Sequence, residues 1–143
     1  MSDKLTLKHV ADEMQGIDIA ILSTHAEEGR IACRPMSNNG NVKYDGTSLF
    51  FSYEQASCVS DIERDPKVAL GYSSRGIIGG SVYIVVEGSA TLVRDKSAFE
   101  KHWTPDLDVW FEDGIDTPGL VLIQVQANRI KIWERNQERE LIL

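Results

Sequence analysis

The sequence predicts a mainly β domain of the α+β class, a closed or partly closed antiparallel barrel with a few short helices. Three observations carry that reading. Six or seven runs rich in Val, Ile, Leu, Phe and Tyr are separated by short turns, and only two or three segments repeat apolar residues at helical spacing. Helix and strand do not alternate often enough for a doubly wound sheet. A length of 143 residues suits one domain, 1–143.

Taken in order, residues 6–14 place Leu7, Val10, Ala11 and Met14 three and four apart, the stripe of a short amphipathic helix ending at Gly16. Residues 17–24 and 30–36 are β-rich runs joined through His25-Ala26-Glu27-Glu28-Gly29, a first hairpin. A turn at Asn38-Asn39-Gly40 leads to a short strand over 41–44, and Asp45-Gly46 closes a second hairpin with a strand over 48–53. Val59 and Ile62 mark a two-turn helix over 56–64 that stops before Pro66. Strands over 67–73 and 81–93 flank the loop Arg75-Gly76-Ile77-Ile78-Gly79-Gly80. Asp95 suits a cap for a helix over 96–103, and Pro105 suits the first turn of another. Residues 119–133 form one long strand, or two joined by a kink near Ala127-Asn128.

Charge and motif content narrow the function. Fifteen basic against twenty-two acidic residues leave a net charge of −7, which argues against nucleic acid and anionic membrane partners. No apolar run approaches the ~20 residues that span a bilayer, and the opening residues lack a secretory signal, so the expected location is the cytoplasm. Cys33 and Cys58 stand alone, without a disulfide framework or a zinc motif. Dinucleotide, P-loop, esterase and metalloprotease signatures are absent. His9, His25 and His102 are scattered and read as solvated side chains rather than ligands, and no catalytic residue is assigned.

Arg34-Pro35-Met36-Ser37 is more specific: proline sets the backbone beside an arginine whose planar fork suits a phosphate or carboxylate. By itself the segment reads equally as an edge strand with a solvent arginine. Its context adds to it. The ordered segments IAILST (19–24), RPM (34–36), SLFFS (48–52), DIERDPKV (61–68), VEGSA (86–90), LVRD (92–95), WTP (103–105), WFEDG (110–114) and IKIWE (130–134) resemble the pyridoxamine 5'-phosphate oxidase-like superfamily of FMN-binding split β-barrels, within it most nearly the general stress protein 26 group. No single segment is diagnostic; their order and spacing carry the likeness.

The resemblance implies a homodimer of split antiparallel barrels with FMN at the interface. It implies flavin contacts from Arg34, Pro35, Met36 and Ser37, and contacts near the ribityl phosphate from Phe51, Ser52 and Tyr53. At the start of the following helix, where the family commonly has a Ser-Lys pair, this chain has Ser57-Cys58. That departure removes one fixed positive charge and shifts the phosphate toward Arg34, hydroxyls and helix N–H groups. Cys58 itself reads as a small buried hydrophobe. Trp103, Trp110 and Trp133 suit a core or an interface, and the resemblance also implies positions near the flavin ring. The acidic segment with Asp106, Asp108, Glu112, Asp113 and Asp116 reads as a solvated loop or as a lid that disfavours anions. Function then divides between an FMN-dependent redox flavoprotein, an oxidoreductase of the stress-protein type acting on a small molecule, and a non-enzymatic binder or sensor of flavin, deazaflavin or haem. A flavin-free small-ligand barrel is a third class.

Overall fold

The computed structural model describes residues 4–38, 43–76 and 80–143. In chain order the elements are α1 (Leu7–Met14), β1 (Ile19–His25), β2 (Ile31–Ser37), β3 (Thr47–Tyr53), α2 (Ser57–Arg64), β4 (Lys67–Gly76), β5 (Gly80–Val93), α3 (Lys96–His102), β6 (Leu120–Glu134) and β7 (Gln137–Ile142). Short 3₁₀ turns cover Glu27–Gly29, Pro105–Val109 and Gly114–Asp116. Every strand pairing is antiparallel, in the order β2-β1-β4-β5-β6-β3, with β7 also on β6. The sheet curls into a split β-barrel whose two edges, β2 and β3, bound the opening. Among the described residues no helix is long and apolar enough to cross a membrane.

Local chemistry sets the helix ends. Thr6 caps α1, its Oγ1 accepting from the His9 amide at 3.1 Å, and Gly16, at φ +85°, lets the chain leave the helix. Asp95 caps α3 by accepting from the Ser97 amide, and Pro105 opens the next turn.

The main core fills the barrel with Leu22, Phe50, Leu70, Ile84, Val86, Ile123, Ile130 and Ile132; α1 adds Val10 and Met14, and α2 adds Val59 and Ile62. A second cluster, Phe99, Phe111, Leu120 and Leu122, packs on the other face of β3 and β6 with Phe51 and Trp103. The first half of β6 is therefore buried on both faces, which explains the unbroken apolar run Leu120-Val121-Leu122-Ile123.

Two expectations change. Among the described residues no strand precedes β3 to close a hairpin through Asp45-Gly46: Asn41 and Val42 lie outside them, Lys43 and Tyr44 are not in a strand, and β3 pairs with β6. The Asp45 carboxylate accepts from the Thr47 amide at 3.0 Å while the Gly46 carbonyl accepts from the Ala127 amide at 2.9 Å, so the turn hands the chain to β6. Asn39 and Gly40 of the expected turn and residues 77–79 of the loop 75–80 also lie outside the described residues. The other change is β7, which the pattern did not reveal. Arg135 and Asn136, at φ 51° and 60°, make a two-residue turn with positive φ at both positions, and no glycine marks it.

The kink near Ala127-Asn128 is a β-bulge. Glu87 pairs with Arg129 and Gly88 with Ala127, leaving Asn128 as the extra residue.

Candidate functional site

The barrel opening gathers polar groups from β2, β3 and the start of α2. On β2, Arg34 and Met36 are half-buried and Pro35 and Ser37 face out. The Arg34 guanidinium donates to the Leu22 carbonyl at 3.3 Å, to the Thr24 hydroxyl at 2.8 Å and to Asp61 at 3.4 Å. Asp61, a buried carboxylate on α2, also accepts from Thr24 at 2.7 Å and from Arg64 at 2.8 Å. Burial pushes the Asp61 carboxyl up, but the Thr24 hydroxyl and the Arg64 and Arg34 guanidiniums together outweigh it and hold it below the ordinary carboxylate range. Arg34 is thus an oriented cation shared with a carboxylate, not a loose solvent arginine.

One helical turn before Asp61 is the start of α2. Ala56, its N-cap residue, supplies no side-chain cap, and the exposed Ser57 opens the helix, with the Val59 amide donating to the Ala56 carbonyl at 3.0 Å. Ser52, across the β3–α2 turn, lies with its hydroxyl 3.9 Å from the sulfur of buried Cys58. The start of α2 thus carries the hydroxyls of Ser52 and Ser57, while Arg34 is held at Asp61, one turn further along the helix.

A cavity of about 310 Å³ lies between α1, the end of β2, β3 and the segment after α3. Of the residues singled out from the sequence it brings together Ser37, Phe51 and Trp103. Phe51 and Trp103 meet edge to face at 4.9 Å, and the Trp103 indole donates to Asp108 at 2.9 Å. Lys101, His102 and Asp106 also line it, as does Tyr44, whose buried hydroxyl has no hydrogen-bond partner among the described residues. Burial first, then the neighbouring Tyr72 and Asp45, push the Tyr44 phenol well above its ordinary range. Tyr72 is pushed up to about 12 by burial, against the hydrogen bond it shares with Ser48. At neutral pH both phenols are protonated, and Tyr44 carries hydrogen-bonding capacity that its protein neighbours leave unmet.

The remaining expected residues lie elsewhere. Tyr53 is exposed and donates to the backbone carbonyl of Trp110 at 3.3 Å; Trp110 is itself 65% exposed. Trp133 pairs with Tyr83 on the outward face of the sheet, away from the cavity. Part of that face is apolar: Ile19, Ile21, Val85 and Tyr83 border a second, shallower concavity around Gly71, together with the polar Asp18 and Ser73.

The family model described as "Pyridoxamine 5'-phosphate oxidase like" matches residues 6–143. The chain belongs to the pyridoxamine 5'-phosphate oxidase-like family. General stress protein 26 of Bacillus subtilis is 26% identical over 113 residues, 77% of this chain and 79% of that protein. A structure of a protein related to general stress protein 26, from Clostridium acetobutylicum, superposes with a TM-score of 0.80 at 16% identity, over 96% of this chain and 94% of that one. A FAD-binding protein from Mesorhizobium loti gives 0.71 at 16% identity over 90% and 94%. A heme binding protein from Mycobacterium smegmatis gives 0.75 at 12% identity over 99% and 60%. These structural likenesses are of fold.

For this member of the pyridoxamine 5'-phosphate oxidase-like family, sequence reasoning missed Asp61 and Tyr44. Asp61 had a visible signal: it falls among Cys58, Val59 and Ile62 on the buried face of α2, where a carboxylate needs partners. Tyr44 had none, because the cavity that it lines is assembled from five separate segments.

Proposed function

We propose that the chain binds FMN in a site completed by a second copy, and that the protein is a flavin-dependent oxidoreductase acting on a small molecule in the cytoplasm. The observation that supports this reading is that β2 holds an oriented cation, Arg34, against Asp61 of α2, while Ser52 of β3 and Ser57 lie at the start of that same helix, whose N-cap residue gives no side-chain cap. That donor set suits a phosphate monoester, and the family membership supports a flavin as its owner. Cys58 adds no charge, so Arg34 is the nearest side-chain cation offered on β2, its orientation maintained by Asp61. FMN, when bound, supplies hydride or electron chemistry. The α2 amides with Ser52, Ser57 and Arg34 would hold its phosphate, Pro35 and Met36 of β2 would flank the flavin, and Phe51 and Trp103 would help to exclude water.

The apolar outward face around Ile21 and Tyr83 supports the second copy, and Trp133 lies on it. Two unbridged cysteines, Cys33 exposed and Cys58 buried, fit a reducing compartment. A second reading, haem or another planar ligand without catalysis, is favoured by one feature: His102 on the wall of the aromatic cavity, an imidazole that could hold a haem iron.

Titrating the purified protein with FMN should quench flavin fluorescence to saturation. The Arg34→Gln variant should bind more weakly by on the order of 1.5–3 kcal/mol. Unchanged affinity in a folded variant would place the phosphate elsewhere, and a Soret band with haem but no FMN saturation would favour the second reading. In sedimentation velocity the protein should run as a dimer at micromolar concentration and Ile21→Asp as a folded monomer; a monomeric parent protein contradicts a site shared between copies.

A further inference from the structure

We propose that His9, Glu13 and Glu134 form a binding site for one divalent transition-metal ion, of which zinc is the best match, clamping α1 to the end of β6. His9 and Glu13 are four apart on α1 and project from the same face of the helix. Glu134, 125 residues from His9 in the chain, is brought to them by the last residue of β6. One ligand atom from each, the His9 Nε2 and a carboxylate oxygen of each glutamate, lies within 4.8 Å of the others. Nε2 is 2.5 Å from Glu134 Oε1 and 4.0 Å from Glu13 Oε1.

The donor set is one imidazole nitrogen and two carboxylate oxygens, a borderline set that suits zinc in a tetrahedral site with water as the fourth ligand. Metal–ligand bonds of about 2.0–2.2 Å put tetrahedral ligand atoms about 3.4 Å apart. The His9–Glu134 contact must therefore open by about 1 Å and the His9–Glu13 distance close by about 0.6 Å, with Nε2 binding the metal through its lone pair in place of the hydrogen bond it shares with Glu134. The His9 and Glu13 side chains, 37% and 31% exposed, have the freedom for that. Glu134 does not: its carboxylate is mostly buried and receives a hydrogen bond from Arg139 on β7 at 2.6 Å. That contact orients the ligand as second-layer donors do in metal sites, and its charge offsets one of the two carboxylates, so the affinity is modest. Burial raises the Glu134 carboxyl, but His9 and Arg139 outweigh it and keep it ionised.

The clamp has a structural consequence. The face of α1 opposite solvent carries Val10, Ala11 and Met14 into the core, and Ala11 and Met14 also wall the cavity. A metal holding His9 and Glu13 would fix that wall against the β6–β7 hairpin. This does not depend on flavin binding.

Calorimetric titration of the full chain with zinc chloride, paired with thermal unfolding at each metal concentration, tests it. One equivalent should bind and raise Tm, and Glu13→Gln and His9→Gln should each weaken binding about tenfold or more. Glu13 is a surface residue of α1, so its variant keeps the fold. Absence of binding and of any Tm shift leaves the three residues as a simple hydrogen-bonded ion pair and overturns the proposal. Zinc binding that is equal in the parent and both variants, as ligation through Cys33 or His25 would give, overturns it too.

Discussion

Replacing Gly88 with alanine is expected to destabilise the fold by about 3 kcal/mol, among the larger single-residue effects in this chain. Gly88 sits where β5 crosses the bulge in β6, and a Cβ there would lie 2.2 Å from the Gln126 carbonyl oxygen and 3.2 Å from the Ala127 Cα. Both neighbours are backbone, so neither can rotate away, and relief requires β5 and β6 to separate at their longest pairing. The strain comes from space, not from backbone dihedrals. Urea unfolding of Gly88→Ala at neutral pH checks it. A loss below ~1 kcal/mol, the range of ordinary Gly-to-Ala changes, would mean that the two strands are farther apart than described here. Gly71, by contrast, has no heavy atom nearer than 4.0 Å to its virtual Cβ, and Gly71→Ala serves as the tolerated control.

The second large effect is expected at Asp61. Asp61→Ala removes the acceptor of three hydrogen-bonding groups, leaving the Thr24 hydroxyl buried and the Arg34 guanidinium half-buried beside it. Removing one partner of such a pair strands the other, at an expected cost of about 2–4 kcal/mol. The pH dependence has a definite sign. The folded state holds the Asp61 carboxyl below its unfolded value, so its contribution is present above about pH 4 and is lost as pH falls through the folded value. Asp61→Asn should therefore be less stable than the parent at neutral pH, with the difference shrinking under acid. Thermal unfolding between pH 7 and pH 3 measures this. A difference that stays constant across the range would show that the carboxylate charge contributes nothing. The same substitution should loosen FMN binding through the orientation of Arg34, a change the neutral-pH titration reads separately.

Much of the architecture is legible in particular residues. Thr6, Gly16, Asp95 and Pro105 mark helix boundaries because capping and positive φ are local demands met by a few residue types. The hairpin of β1 and β2, joined through Glu27–Gly29, is local for the same reason. The partner of β3 is not legible. Asp45-Gly46 satisfies the chemistry of a hairpin turn, but the choice between an upstream strand and β6 rests on which apolar face finds cover, and Phe50 and Phe51 require cover on both faces. Of the proposed site, Arg34-Pro35-Met36 and Ser57 stand out by residue type and by the family likeness, whereas Asp61, the carboxylate that holds Arg34, lies within an expected helix and has no motif of its own.

The sequence by itself determined the mainly β class, most helix limits, the long bent strand near Asn128 and membership of the pyridoxamine 5'-phosphate oxidase-like family, because periodicity, caps and ordered motifs are properties of neighbours along the chain. Tertiary structure alone decided that Arg34 is paired with Asp61, that Trp103 walls a cavity while Trp133 lies on the outward face, and that His9 meets Glu134. Each of those contacts joins residues far apart in sequence. Their geometry is set by how the sheet curls and where β6 bends, which no local pattern encodes.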